Sequence, residues 1–132
     1  MKTILIIEDH AEVREPLARL LQVEGYHVLT AANGAEGLAV LQHTTPDLLL
    51  MDLMMPRMDG ITLLQIVRHD PRWRDLPVVV LTGLVDGSLL TRARELNVSA
   101  LLLKSKFKVD ELFTRIRQAL TAAEAAEAAA AT

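Results

Sequence analysis

Cysteine is absent from the 132 residues, which removes disulfides, thiolate metal sites and thiol redox chemistry together. Positive charge is scarce where nucleic acid would need it: the formal net charge is −3, and Lys and Arg are scattered apart from Lys104, Lys106 and Lys108. No basic field is available for a phosphate backbone, so no direct nucleic-acid binding is expected. Long apolar runs are missing too. Ile4-Leu5-Ile6-Ile7 is followed at once by Glu8-Asp9, too short and too acidic for a signal peptide, and nothing approaches the roughly 20 residues of a membrane helix. The expectation is a cytoplasmic protein without membrane contact. With 51% hydrophobic residues, a chain of this length should bury roughly two thirds of its unfolded surface around one core.

What is present is an alternation of short apolar runs with helical patterns, the signature of βαβ units and a parallel sheet. Strands are expected near residues 3–8, 27–31, 47–52, 77–82 and 99–103, and helices near 12–24, 35–43, 60–69, 87–96 and 109–120. Punctuation fits: Pro16 falls in the first turn of its helix, Gly25 follows that helix, Asn33-Gly34 precedes the second, and Pro77 opens a strand. Right-handed crossovers leave a doubly wound sheet as the economical topology. From Thr121 the composition turns to Ala and Glu, so residues 121–132 read either as a prolongation of the last helix or as a linker to another domain.

Four strand ends carry polar groups suited to phosphoryl chemistry: Glu8-Asp9, Asp52, Thr82 and Lys104. Each has an ordinary reading when taken alone. Glu8-Asp9 could open a solvated loop with Asp9 or His10 near a helix cap, Asp59 suits a cap of the third helix, Thr82 suits any strand, and Lys104 any surface. Asp52 resists such dismissal, because a carboxylate directly after Leu48-Leu49-Leu50-Met51 meets a desolvation cost unless it is paired. Jointly the four point to a phosphoryl site at the strand ends, where open α/β sheets place ligands. His10, His27, His43 and His69 share no metal-ligand spacing and read as surface residues. Met54, Met55 and Met58 read as loop packing. Trp73, between Arg72 and Arg74, reads as a partly buried loop residue.

With Glu8-Asp9, Asp52 inside Asp-Leu-Met-Met-Pro-Arg-Met-Asp-Gly, Thr82 and Lys104 in this order, residues 1 to about 120 resemble the receiver domain of two-component response regulators. The resemblance implies a flavodoxin-like, doubly wound, five-stranded parallel sheet of order 2-1-3-4-5 with five helices. Asp52 is then the phosphoacceptor; Asp9, Asp52 and the Met54 backbone carbonyl hold Mg2+, with Glu8 assisting directly or through water; Thr82 is the switch hydroxyl and Lys104 the mobile cation. Backbone amides around Leu53, Met54 and Gly83 are further donors. Implied partners are a sensor histidine kinase or histidine phosphotransfer protein and a downstream protein. The chain is expected to be a monomer or a weak dimer through its fourth helix, fifth strand and fifth helix. It would catalyse only its own phosphoryl transfer and dephosphorylation.

Two departures from the family pattern stand out. Leu101 occupies the place usually held by Tyr or Phe, and Lys104-Ser105-Lys106-Phe107 replaces Lys-Pro-Phe with one extra residue. A trans bond is therefore expected between Lys104 and Ser105, with Phe107 filling the apolar place reached sooner in the family. The departures keep alive an adaptor that binds partners independently of phosphorylation. An aspartate-nucleophile phosphatase would need a second aspartate two residues after the first, and a flavin carrier a hydroxyl- and Gly-rich loop after the first strand; neither is present.

Overall fold

The computed structural model describes residues 1–83 and 86–131. Ten elements alternate without exception: β1 Thr3–Ile7, α1 Ala11–Val23, β2 His27–Ala31, α2 Gly34–His43, β3 Leu48–Met51, α3 Gly60–His69, β4 Val78–Thr82, α4 Gly87–Glu95, β5 Ala100–Leu103 and α5 Val109–Ala131. All strand pairs are parallel and the sheet order is β2-β1-β3-β4-β5, the flavodoxin-like arrangement.

Strands buried on both faces explain the continuous apolar runs, since side chains of period two must satisfy a core on each side. Ile4, Ile6, Leu48, Leu50, Val79 and Leu81 turn toward Leu17 and Leu21 of α1 and Leu112 and Ile116 of α5. Their alternates Leu5, Ile7, Leu49, Met51, Val78 and Val80 turn toward Leu41 of α2, Leu63 and Val67 of α3, and Ala93 of α4. The second layer also contains Trp73. Contrary to the expectation of partial burial, its ring is 1% exposed, and the Arg72 guanidinium lies 4.2 Å from its centroid on the solvent side, so a cation covers the indole that the core holds.

Helix ends follow local chemistry. Gly25, at φ +101°, closes α1 with the Tyr26 amide on the Leu21 carbonyl (3.1 Å) and the Gly25 amide on the Gln22 carbonyl (3.0 Å), a Schellman ending that a side chain would strain. Asn33, Asp59 and Asp86 cap α2, α3 and α4 through their side chains. Pro16 departs from expectation: α1 begins at Ala11, which places the proline inside the helix rather than in its first turn. Its missing N–H forfeits one bond to Glu12, a tolerable loss at an exposed position. The last helix continues unbroken through the Ala-rich segment to Ala131. Among the described residues no helix is long and apolar enough to cross a membrane.

Candidate functional site

In a parallel sheet every strand ends at the same edge, so residues that follow β1, β3 and β5 become neighbours although they are far apart in sequence. Ile7 pairs with Met51, Met51 with Val80, and Thr82 with Leu103. The next residues, Glu8, Asp52 and Lys104, therefore rise from one rim, beside the switch point where β1 is flanked by β2 and β3. Lys104 must cross the end of β4, a span of two strand spacings or roughly 9–10 Å between β5 and β3. Only a long side chain covers it.

Its ammonium lies 2.8 Å from Asp52 Oδ2 and 2.8 Å from Glu8 Oε2, joining the ends of β1, β3 and β5. Asp52 is 4% exposed, and its other oxygen, Oδ1, accepts from the Leu53 amide (2.7 Å) and the Met54 amide (3.2 Å). The buried carboxylate is thus supplied with donors on both oxygens, which offsets the desolvation anticipated from the sequence. Glu8, 3% exposed, gives Oε1 to the His10 amide (3.2 Å) and His10 Nδ1 (3.1 Å). Arg14 donates to the Glu8 carbonyl at 2.6 Å, fixing the turn out of β1 from α1.

Burial pulls the Lys104 ammonium down, but hydrogen bonds and charge from Asp52 and Glu8 outweigh this and hold it above the ordinary lysine value. The hydrogen bond that its ring donates to Glu8, followed by the charge of Asp9, raises the exposed His10 imidazole. Asp9 Oδ1 is a buried atom without a hydrogen-bond partner among the described residues, 3.2 Å from His10 Nδ1 but not aligned for a bond. Two carboxylates, Glu8 and Asp52, share the ammonium of Lys104, and Asp9 stands beside Glu8 against the His10 ring. An acidic, oxygen-rich strand end with a buried carboxylate oxygen that makes no hydrogen bond suits a hard divalent cation such as Mg2+.

Thr82 ends β4 fully buried, and its carbonyl accepts from the Lys104 amide at 2.8 Å, which ties the strand end to the lysine's own backbone. Met55 and Met58 pack against the core as half-buried loop residues, whereas Met54, expected to pack with them, is 56% exposed because its amide is held on Asp52 at the rim. Asp59 accepts from the Thr62 amide at 2.9 Å and serves as a cap. His27, His43 and His69 are exposed as expected. His10 is different: although exposed, its ring bridges Glu8 and Asp9, and the position directly after an acidic strand end was the signal available in the sequence. After Lys104 the bond to Ser105 is trans, and the Lys106 and Phe107 amides both turn back to the Leu103 carbonyl (3.1 and 3.0 Å). That turn absorbs the extra residue and brings half-buried Phe107 onto the α1/α5 core.

A doubly wound α/β domain with a lysine-bridged acidic cluster at the carboxyl edge of its sheet is the architecture of receiver modules. The chain belongs to that family: the response regulator receiver domain model matches residues 4–117. It is 36% identical over 121 residues to the DNA-binding dual master transcriptional regulator RpaA of Synechocystis, covering 91% of this chain and 49% of that protein. To the phosphate regulon transcriptional regulatory protein PhoB of Pseudomonas aeruginosa it is 34% identical over 119 residues, covering 90% and 52%. The chain thus spans about half the length of these curated relatives. The signal receiver domain of a histidine kinase from Syntrophus aciditrophicus superposes with a TM-score of 0.85 at 32% identity, covering 92% of each chain.

Proposed function

We propose that this chain is a phosphoryl-accepting signalling module of a two-component phosphorelay, modified on Asp52 and dependent on Mg2+. The observation that carries the reading is the bridge from Lys104 to Asp52 and Glu8 at 2.8 Å each, which holds a movable cation against a buried nucleophile. Asp9, Asp52 and the Met54 carbonyl would hold Mg2+, with Glu8 assisting. The cation supplies neutralisation of the oxygens on the transferring phosphoryl group. An Asp52 oxygen attacks the phosphorus of a phosphohistidine on a histidine kinase or phosphotransfer protein, the new O–P bond forms as the P–N bond breaks, and the electron pair returns to the donor's imidazole. Lys104 leaves Asp52 for a phosphoryl oxygen while Glu8 keeps it at the rim. Thr82 donates its hydroxyl to the phosphoryl group, and its turn biases the face formed by α4, β5 and α5 toward a downstream protein. The module acts in the cytoplasm.

Incubation with acetyl phosphate and Mg2+, followed by intact-mass measurement, tests the assignment. The increment of one phosphoryl group should appear in the wild type, vanish on chelation and be absent from Asp52→Asn. An increment of equal size in Asp52→Asn would refute it. One observation favours a second reading, an adaptor indifferent to phosphorylation: Leu101, in the position of the family's rotating aromatic, is half-buried and packed into the α2/α3/α4 core. Partner affinity unchanged on phosphorylation would establish that alternative.

A further inference from the structure

We propose that the cleft beneath the overhanging end of α5 receives the same helix end from a second copy of this chain. The result is a two-fold dimer in which Arg74 of each protomer pairs with Glu127 of the other. The cleft lies at the edge of the sheet where the strands begin, opposite the rim that carries Asp52, so the contact is separate from the phosphoryl site.

Shape is the first argument. Past Leu120, its last buried residue, α5 runs on through residues 121–131, a further length of about 16 Å. This end overhangs a cavity of about 630 Å3, and the loops before β3, β4 and β5 form the opposite wall with Pro46, Leu76 and Pro77. Lys2, ion-paired to Glu124 at 3.2 Å, ties the overhang to the start of β1. Ala119, Ala123, Ala126 and Ala130 line the cavity at spacings of three and four, which puts them on one face of the helix. Methyl groups alone allow a second helix to approach to about 8 Å, the close end of helix packing. The helix that matches such a face is one with the same small side chains, and the end of α5 is that helix.

Charge is the second argument, and it selects the occupant. Most charged groups around the cleft are committed within the chain: Arg68 to four carbonyls, Arg72 to Asp70 and Gln42, Asp47 to the Thr3 amide, and Lys2 to Glu124. Asp75 lies in the field of Arg68. Arg74 and Glu127 stand on opposite walls, exposed, and make no ion pair among the described residues. An unpaired cation on one wall and an unpaired carboxylate on the other suit an isologous contact, because two-fold symmetry forms each pair twice. No Lys or Arg follows Arg117, so the helix end brings only carboxylates to the partner's wall. Glu124 is already neutralised by Lys2, which limits repulsion between the two ends. An unrelated helix would match one wall; a second copy matches both. Two ends laid in two clefts join four surfaces of roughly 16 by 10 Å, on the order of 600 Å2 in projection. That extent fits a weak, concentration-dependent dimer.

Sedimentation equilibrium of the full chain from about 10 µM to about 1 mM tests the proposal, the range that suits an interface of this size. The wild type should dimerise there, and less so as salt is raised, because the pairs are exposed. Arg74→Glu and Glu127→Arg should each weaken the dimer by about tenfold or more, since each turns two attractions into two repulsions. The double variant Arg74→Glu/Glu127→Arg should regain wild-type affinity, and so should an equimolar mixture of the two single variants, whose heterodimer again opposes unlike charges in both pairs. Both positions are exposed, and the fold uses the carbonyl of Arg74 rather than its guanidinium, so thermal melts of the dilute variants should match wild type. A wild type that stays monomeric throughout overturns the proposal and leaves the cleft to a different partner. A dimer indifferent to both single reversals overturns it by placing the contact on another face, and a mixture that fails to associate overturns the pairing of Arg74 with Glu127.

Discussion

Asp52 holds a different class of donor on each oxygen, rigid amides on Oδ1 and a mobile ammonium on Oδ2, and this asymmetry fits a nucleophile that must release one partner without losing its place. Removing the ammonium leaves two buried carboxylates facing each other. Lys104→Ala should therefore destabilise the fold by about 1–3 kcal/mol, discounted because the lysine side chain is 22% exposed, and MgCl2 should recover part of the loss. Thermal melting with and without MgCl2 checks this; a melting temperature equal to wild type in its absence would contradict the bridge. Gly60 matters for a different reason. A Cβ there would lie 2.5 Å from the Asp52 carbonyl oxygen and 2.6 Å from Leu53 Cα, backbone atoms that cannot rotate away. Gly60→Ala should cost about 1–3 kcal/mol in urea denaturation and should slow acetyl phosphate labelling by displacing Asp52.

Arg68, on α3, joins the loop after α4 to the loop before β4. Its guanidinium donates to the carbonyls of Leu96 (2.7 Å) and Asn97 (3.2 Å) after α4, and of Arg74 (3.0 Å) and Leu76 (2.7 Å) before β4. A planar fork reaches four acceptors; an ammonium cannot. Arg68→Lys should accordingly lose most of what Arg68→Met loses, about 2–4 kcal/mol, and full rescue by lysine in urea denaturation would refute the fork argument. At α4 and β5 the relevant residue is Leu101, which packs into the core and has no ring or hydroxyl to turn inward. A beryllofluoride phosphate mimic should therefore leave NMR shift changes small around Leu101 and α4. Large changes concentrated there would show that the switch works without an aromatic.

Over the whole molecule, the core ends before the chain does. Ala119 and Leu120 are the last buried residues of α5; beyond them Ala123 is half-buried and an exposed Lys2–Glu124 pair at 3.2 Å provides the one ion pair to the tail among the described residues. Exposed pairs contribute little. Truncation after Leu120 should lower the melting temperature by less than about 3 °C, and a larger loss would show that the tail packs against the floor of the sheet.

Much of this was legible in the sequence because it depends on short-range rules. Unbroken runs such as Leu48-Leu49-Leu50-Met51 can be satisfied only by a strand covered on both faces, and Gly25, Asn33 and Asp59 mark helix ends by their own backbone and side-chain chemistry. Asp52 stood out because a carboxylate next to a buried strand is costly without a partner, whereas Glu8 and Lys104 had ordinary readings alone and drew attention only by accompanying it, in order, at successive strand ends. What the sequence left open were partners set by the packing of separate elements. The burial of Trp73 beneath Arg72 depends on how the loop before β4 meets the α3 layer, and the start of α1 at Ala11, which puts Pro16 inside the helix, on a turn held by the Glu8 and His10 backbone. That Lys104 serves Glu8 as well as Asp52, and that the His10 ring lies across the acidic pair, follows from the spacing of parallel strands, which converts positions far apart in the chain into contacts of about 3 Å at one rim.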